Sequence, residues 1–188
     1  MDYPNGIADV DVNDMIDLDE MVLFLESSNM KFGKTLRGLR ADQQGKYNRG
    51  LKMNFLAAIC GDLNDPMRWH VDWIGQGTTV EIFLAFVERI LRDLEERYLG
   101  RSLCITMDNL NVHYNPAVVN SILNGGHCLG FCTPYYAVNR AIEYVFNIIH
   151  TGLLSYYNEL STMDKLSNTT ALIFNSIPTF TPYFVHMF

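Results

Sequence analysis

Ser102-Leu-Cys-Ile-Thr-Met-Asp108, followed by Asn109-Leu-Asn-Val-His113, is the stretch that decides the fold. It is a short, mostly apolar run that ends on an acid. Thr79 to Leu99 before it has the periodicity of an amphipathic helix, and Asn115 to Leu123 after it has it again. A near-continuous apolar run between two helices predicts a buried central strand. Asp108 then stands where that strand leaves the sheet, the usual place for chemistry in an α/β domain.

Working outward, the next strand candidates are N-terminal. Met15 to Leu18 is apolar apart from Asp17 and ends at Asp19-Glu20; Met21 to Leu25 is apolar again. This predicts a strand ending near Asp19, with a bend or continuation beyond. Asp17 and Asp19 share one face, and only one of them needs to point at chemistry. Met53 to Cys60 is a further strand. The turn Gly61-Asp-Leu-Asn-Asp-Pro66 leads to a returning strand, Met67 to Ile74, with Trp69 and Trp73 on one side.

Thr78 followed by Glu81 is a capping-box signature for the first helix, whose buried stripe is Phe83, Val87, Ile90, Leu91, Leu94 and Tyr98, with Gly100 as its stop. Pro116 opens the second helix. Cys128 to Cys132 is a short strand and Thr133-Pro-Tyr-Tyr136 a turn. Arg140 to about His150 is a third helix burying Ile142, Val145, Phe146 and Ile149, with Gly152 as a bend or an end. The sum is α/β: a mixed sheet flanked by helices. Residues 1–13 read as a flexible lead-in, 14–160 as the domain, and 161–188 as a less organised, apolar C-terminal extension. A solvated tail would not be so apolar, so it packs on the domain or on a partner.

The chain has 188 residues, 48% of them hydrophobic, and a formal charge of −7. That is one globular domain by size and composition. The acidic balance argues against a broad nucleic-acid surface, but not against carboxylates that reach phosphates through metal ions. The four cysteines suit buried thiols in a reducing compartment, since Cys128 and Cys132 have no second pair to complete a zinc site. No secretion signal and no membrane-length apolar run occurs. One stretch is concentrated in positive charge: Lys31, Lys34, Arg37, Arg40, Lys46, Arg49 and Lys52. It reads either as a solvated loop or as a phosphate-contacting one.

Three acids carry the chemistry. Asp19 ends the first strand, Asp108 ends the central strand, and Glu143 lies on the third helix beside its buried stripe. Each alone reads as a cap or a solvated side chain. Together they would repel one another unless a cation joins them, and Mg2+ prefers carboxylate oxygens. Two such ions about 4 Å apart suit phosphodiester chemistry.

At this point the sequence resembles a family: the "DDE" endonuclease domain of Tc1/mariner and bacterial IS630-type transposases, which has an RNase H-like fold. The resemblance covers about Met15 to His150. Asp19-Glu20 follows a strand, and Gly38-Leu-Arg-Ala41 lies in the basic region. Met107-Asp-Asn-Leu-Asn-Val-His113 is similar to the family's D-N-x-x-x-H signature, and Thr133-Pro-Tyr-Tyr-Ala-Val-Asn-Arg-Ala-Ile-Glu143 to its P-P-Y-S-P-x-L-N-P-I-E signature. The 34 residues between Asp108 and Glu143 match the family's spacing.

The resemblance implies that Asp19, Asp108 and Glu143 are the catalytic, metal-binding triad for two Mg2+ ions, with Mn2+ as a substitute. It implies supporting roles for Asn109 and His113 near metal or DNA, and for Asn139 in the turn before the third helix. Double-stranded DNA would be the partner, with the basic stretch and Arg140 as candidate DNA contacts. The protein would be intracellular, in the nucleus of a eukaryote or the cytoplasm of a prokaryote. Arg140 stands where the family has a proline, Ala137-Val138 replaces its Ser-Pro, and Thr133 its first proline. The chain begins almost at the first catalytic strand, so the family's N-terminal DNA-reading region is expected to be absent or supplied by a second subunit; a homodimer is the other arrangement. Two alternatives stand beside the transposase core: a decayed or domesticated module that binds DNA or protein, and another RNase H-fold nuclease.

Overall fold

In the computed structural model, residues 10–25, 51–131, 140–156 and 159–184 are described. Five strands, β1 (Met15–Phe24), β2 (Lys52–Cys60), β3 (Arg68–Ile74), β4 (Cys104–Met107) and β5 (Cys128–Phe131), form one sheet in the order β3-β2-β1-β4-β5. β1, β2 and β3 pair antiparallel, while β4 and β5 run parallel to β1. Helices α1 (Val80–Arg97) and α2 (Pro116–Asn124) cover one face. Helices α3 (Ala141–Ser155), α4 (Met163–Ser176) and α5 (Thr181–Phe184) cover the other. This is the mixed, helix-flanked sheet expected from sequence, in RNase H-like order.

The period-two alternation of β1 divides the core. Ile16 and Leu18 join the α1–α2 side, and Met15, Met21 and Leu23 the α3–α4 side. The strand does not end near Asp19. It continues to Phe24 because β2 pairs with it along its length, from Ile16 opposite Cys60 to Phe24 opposite Lys52. Trp69 and Trp73 do lie on one face, against the α1 core.

Helix α1 is capped one residue later than the sequence predicts. Thr79 accepts from the Ile82 amide, while the Thr78 hydroxyl is bonded to Glu20. Gly100 after it takes a positive φ of 76°, which suits a residue with no Cβ. Asn115 caps α2, with Pro116 in its first turn. The buried side of α3 is Ile142, Val145, Phe146 and Ile149, as its periodicity predicts.

Two expectations are corrected. Helix α3 runs through Gly152 to Ser155. A Cβ at Gly152 would come within 2.9 Å of Ile173 on α4, so glycine there permits close approach of two helices rather than ending one. Residues 163–184 are organised into helices, and Leu166, Phe174, Phe180 and Phe184 are fully buried in the α3-side core. Of the two alternatives for this apolar segment, packing on the domain is the one seen.

His70 and His127 are structural. His70 stacks on Phe55 with ring centroids 5.3 Å apart, and His127 Nδ1 accepts the Leu103 amide at 3.2 Å. Burial lowers both imidazoles below their ordinary 6.5; Asp72 opposes it at His70, and Arg89 adds to it. The unfolded chain therefore binds protons there that the folded chain refuses. Stability from these groups is complete above about pH 6.5 and falls as pH drops through their lower folded values. Thermal melts of wild type and His127→Gln from pH 8 to 5 should diverge below that point, the wild type losing more Tm than the variant, whose amide oxygen can still accept from Leu103. Parallel pH profiles for the two proteins would contradict this.

Candidate active site along β1 and at the end of β4

The parallel register of β1 and β4 places Asp17 beside Thr106. Two residues farther along the two chains come Asp19 and Asp108. Glu143 lies in the first turn of α3, three residues after its N-cap, Arg140. The three expected acids lie in one electrostatic neighbourhood: the charge of Asp108 acts on both Asp19 and Glu143.

Their surroundings differ. Asp19 is 6% exposed. Burial pushes its carboxyl up to about 7, with Asp108 and Asp17 adding to the rise while Arg140 and the Glu20 amide oppose it. Glu143 is half-buried and raised too, first by burial and then by Asp17 and Asp108, against the pull of Arg140. Asp108 is the opposite case. Burial raises it, but the hydrogen bond from His113, the Leu110 amide and the charges of His113 and Arg140 outweigh that and hold it below the usual carboxylate range.

His113 is fully buried, tilted against Phe83 with centroids 4.4 Å apart. Its Nδ1 lies 2.6 Å from Asp108 Oδ1 and 3.2 Å from the Asp108 carbonyl. Its Nε2 has no hydrogen-bond partner among the described residues. The ring is thus committed to orienting Asp108. Asn109 accepts a bond from the Tyr114 hydroxyl, and Tyr114 stacks on Phe131. Both residues of the D-N-x-x-x-H signature therefore brace the loop that carries Asp108.

Sequence reasoning missed the residues at the centre of the site. Arg140, expected as a DNA contact, is 2% exposed and turned inward. Its Nη1 donates to Asp19 Oδ2 at 2.5 Å. Its Nη2 donates to Asp17 Oδ1 and to the Leu18 carbonyl, each at 2.6 Å, and its Nε to Asp17 Oδ1 at 3.1 Å. Asp17 is fully buried. Its second oxygen accepts the Ile142 amide at 3.0 Å and so caps α3, and Thr106 Oγ1 lies 2.9 Å from its first. The signal was present in β1: two same-face acids in an apolar strand need a cation. Lys52 lies in β2 opposite Phe24. Lys31, Lys34, Arg37, Arg40, Lys46, Arg49 and Asn139 fall outside the described residues.

Three carboxylates are the donor set a hard cation such as Mg2+ takes, and the repulsion of Asp108 on Asp19 and Glu143, which adds to the larger effect of their burial, is what such a cation relieves. In kind, the residues fit the ion. As arranged, no three of His, Cys, Asp and Glu among the described residues are gathered closely enough to hold one. Both Asp19 oxygens are engaged within the protein: Oδ1 accepts the Glu20 amide at 2.7 Å and Oδ2 accepts from Arg140.

Fold and site define a class, an RNase H-like domain with one acid midway along the first strand, one just past the end of its parallel neighbour and one on the adjoining helix. Comparison with known proteins narrows it. No protein-family model and no curated protein matches the chain. Solved structures of Mos1 mariner transposase do. A pre-cleavage Mos1 transpososome aligns with a TM-score of 0.74 at 14% identity, over 94% of this chain and 52% of that one. A Mos1 paired-end complex with Mg gives 0.75 at 14% identity, over the same 94% and 52%. The Mos1 catalytic domain with Raltegravir and Mg gives 0.65 at 10% identity, over 95% and 79%. At these identities the likeness is one of fold: this chain has the fold of the mariner transposase catalytic domain. It spans about half the length of the transposase chains in the first two complexes. Among the described residues no helix is long and apolar enough to cross a membrane.

Proposed function

We propose that this chain is the catalytic core of a Tc1/mariner-type transposase, built to cut and join strands of double-stranded DNA. The observation that carries the reading is the β1–β4 register, which sets Asp19, midway along β1, level with Asp108 just past the end of β4, with Glu143 in their electrostatic reach. The fold of Mos1 transposase, whose structures include paired-end and strand-transfer complexes, supports it. Asp19, Asp108 and Glu143 would hold Mg2+ or Mn2+, two ions in the full site. When bound, the cation supplies the positive charge that stabilises a reacting phosphate. The chain's own residues do the positioning. His113 fixes the Asp108 carboxylate, Asp17 pins the start of α3 and with it Glu143, and the two apolar cores keep these elements in register. The basic stretch 31–52 is the candidate path for the DNA backbone, and a second copy of the chain is the candidate protein partner. Action on DNA places the protein in the nucleus or, in a prokaryote, the cytoplasm.

A second reading has its own observation. The ion pairs between Arg140 and Asp17 and Asp19 satisfy the acids without a metal, which suits a non-catalytic DNA-binding module. Supercoiled plasmid and labelled duplex, with Mn2+ or with EDTA, separate the two. Metal-dependent nicking by the full chain supports the core; duplex retardation in gels without nicking supports the module.

A further inference from the structure

Arg140 is among the largest fully buried side chains, and its guanidinium bridges two acids on one face of β1. The two halves of that bridge are unequal. Asp17 receives two donors from Arg140, together with the Ile142 amide and the Thr106 hydroxyl nearby. Asp19 receives one, Nη1. The Asp17 half is an anchor; the Asp19 half is a single contact on one oxygen. A planar guanidinium presents separate, fixed donors to the two carboxylates, so it can keep one of them when the other is released. Arg140 is also the N-cap of the helix that carries Glu143, so its reach toward Asp19 is fixed from the element that supplies the third acid.

We infer that Arg140 is a built-in cation that competes with a divalent metal ion for Asp19, so that metal affinity is set by how readily Nη1 leaves that oxygen. This rests on the carboxylate site proposed above and adds its regulation. In the resting arrangement the acids are neutralised internally, and a metal enters by taking the Asp19 oxygen while Asp17 retains the guanidinium. A fixed charge at salt-bridge distance changes cation binding to a carboxylate by about 10- to 1,000-fold, by the same reasoning that governs protons.

Mn2+ binding to the full chain, followed by electron paramagnetic resonance, tests this without reference to activity. Asp17→Asn/Arg140→Gln removes the buried charges together and leaves an amide oxygen to accept from Ile142, so the fold is protected; melting curves check it. This double variant should bind Mn2+ at least about tenfold more tightly than the wild type, and adding Asp108→Asn should abolish the gain. Arg140→Lys, with one ammonium for two acids, should fall between. Equal affinity in wild type and double variant, with binding still lost in Asp108→Asn, would overturn the competition and leave the carboxylate site standing. Absence of Mn2+ binding in every variant would overturn both.

Discussion

Asp108→Asn should remove metal-dependent DNA cleavage, by roughly 10³-fold or more in rate, while the protein remains folded. The argument for loss is chemical. Asp108 is the one acid of the three whose surroundings hold it ionised, through His113 and the Leu110 amide, and it is about one-third exposed where a phosphate can approach. An amide in its place has no charge to offer a hard cation. The argument for folding is electrostatic. Asparagine keeps an oxygen that can accept from Leu110 and His113, so the bracing of the loop survives in weakened form. The substitution also removes one of the negative charges that press on Asp19 and Glu143, a gain that offsets the lost charge-assisted bond. Melting should therefore shift by no more than about 1 kcal/mol. Initial rates of plasmid nicking, set beside a denaturant melt of the same preparation, measure both halves. Undiminished metal-dependent cutting by a folded Asp108→Asn protein would remove the triad from the mechanism.

What the sequence made legible, and what it did not, divides by the range of the interaction. The buried stripes of α1 and α3 follow from spacing within one helix, and the single-face placement of Trp69 and Trp73 from alternation within one strand. The strand that ends at Asp108 was readable because its neighbours were strong helices. Helix α4 was not. Ser167-Asn-Thr-Thr170 in its middle has weak helix propensity, and only the Thr162 cap with the stripe Met163, Leu166, Thr170, Ile173 and Phe174 marks it. The length of β1 was missed because it depends on pairing with β2 across a long intervening segment. At the site, the motif resemblance pointed to Asp19, Asp108 and Glu143, and the charge of Asp108 acts on the other two. It gave no place to Asp17, which has no part in the motif. The Asp17–Arg140 pair joins residues 123 positions apart. A single sequence shows only its two halves: an unexplained acid in an apolar strand, and an arginine where the family has proline.

That pair makes Asp17→Ala the most damaging single change expected for stability. In the native protein Asp17 is fully buried, satisfies two donors of Arg140 and accepts the buried amide of Ile142 in the first turn of α3. Alanine leaves a guanidinium 2% exposed with Asp19 and the Leu18 carbonyl as its remaining partners on β1, and the helix start without its acceptor. Breaking a buried ion pair from one side costs about 3–5 kcal/mol, and losing a cap about 1 more. Against the 5–15 kcal/mol typical of a domain, the total of about 4–6 brings the protein close to unfolding at room temperature. Asp17→Asn should cost less, because an amide oxygen still accepts from Ile142 or Arg140. Adding Arg140→Gln to it should cost more than Asp17→Asn alone at neutral pH, since buried Asp19 then loses the guanidinium bonded to it. Urea melts of the three variants give the ordering directly. The order is diagnostic: if Asp17 only filled space, Asp17→Asn would match the wild type, whereas a residue that holds Arg140 and caps α3 makes Asp17→Ala the costlier of the two single changes. A cost below about 1 kcal/mol for Asp17→Ala would mean that water reaches Arg140 in the variant, and that α3 is held by its apolar stripe alone.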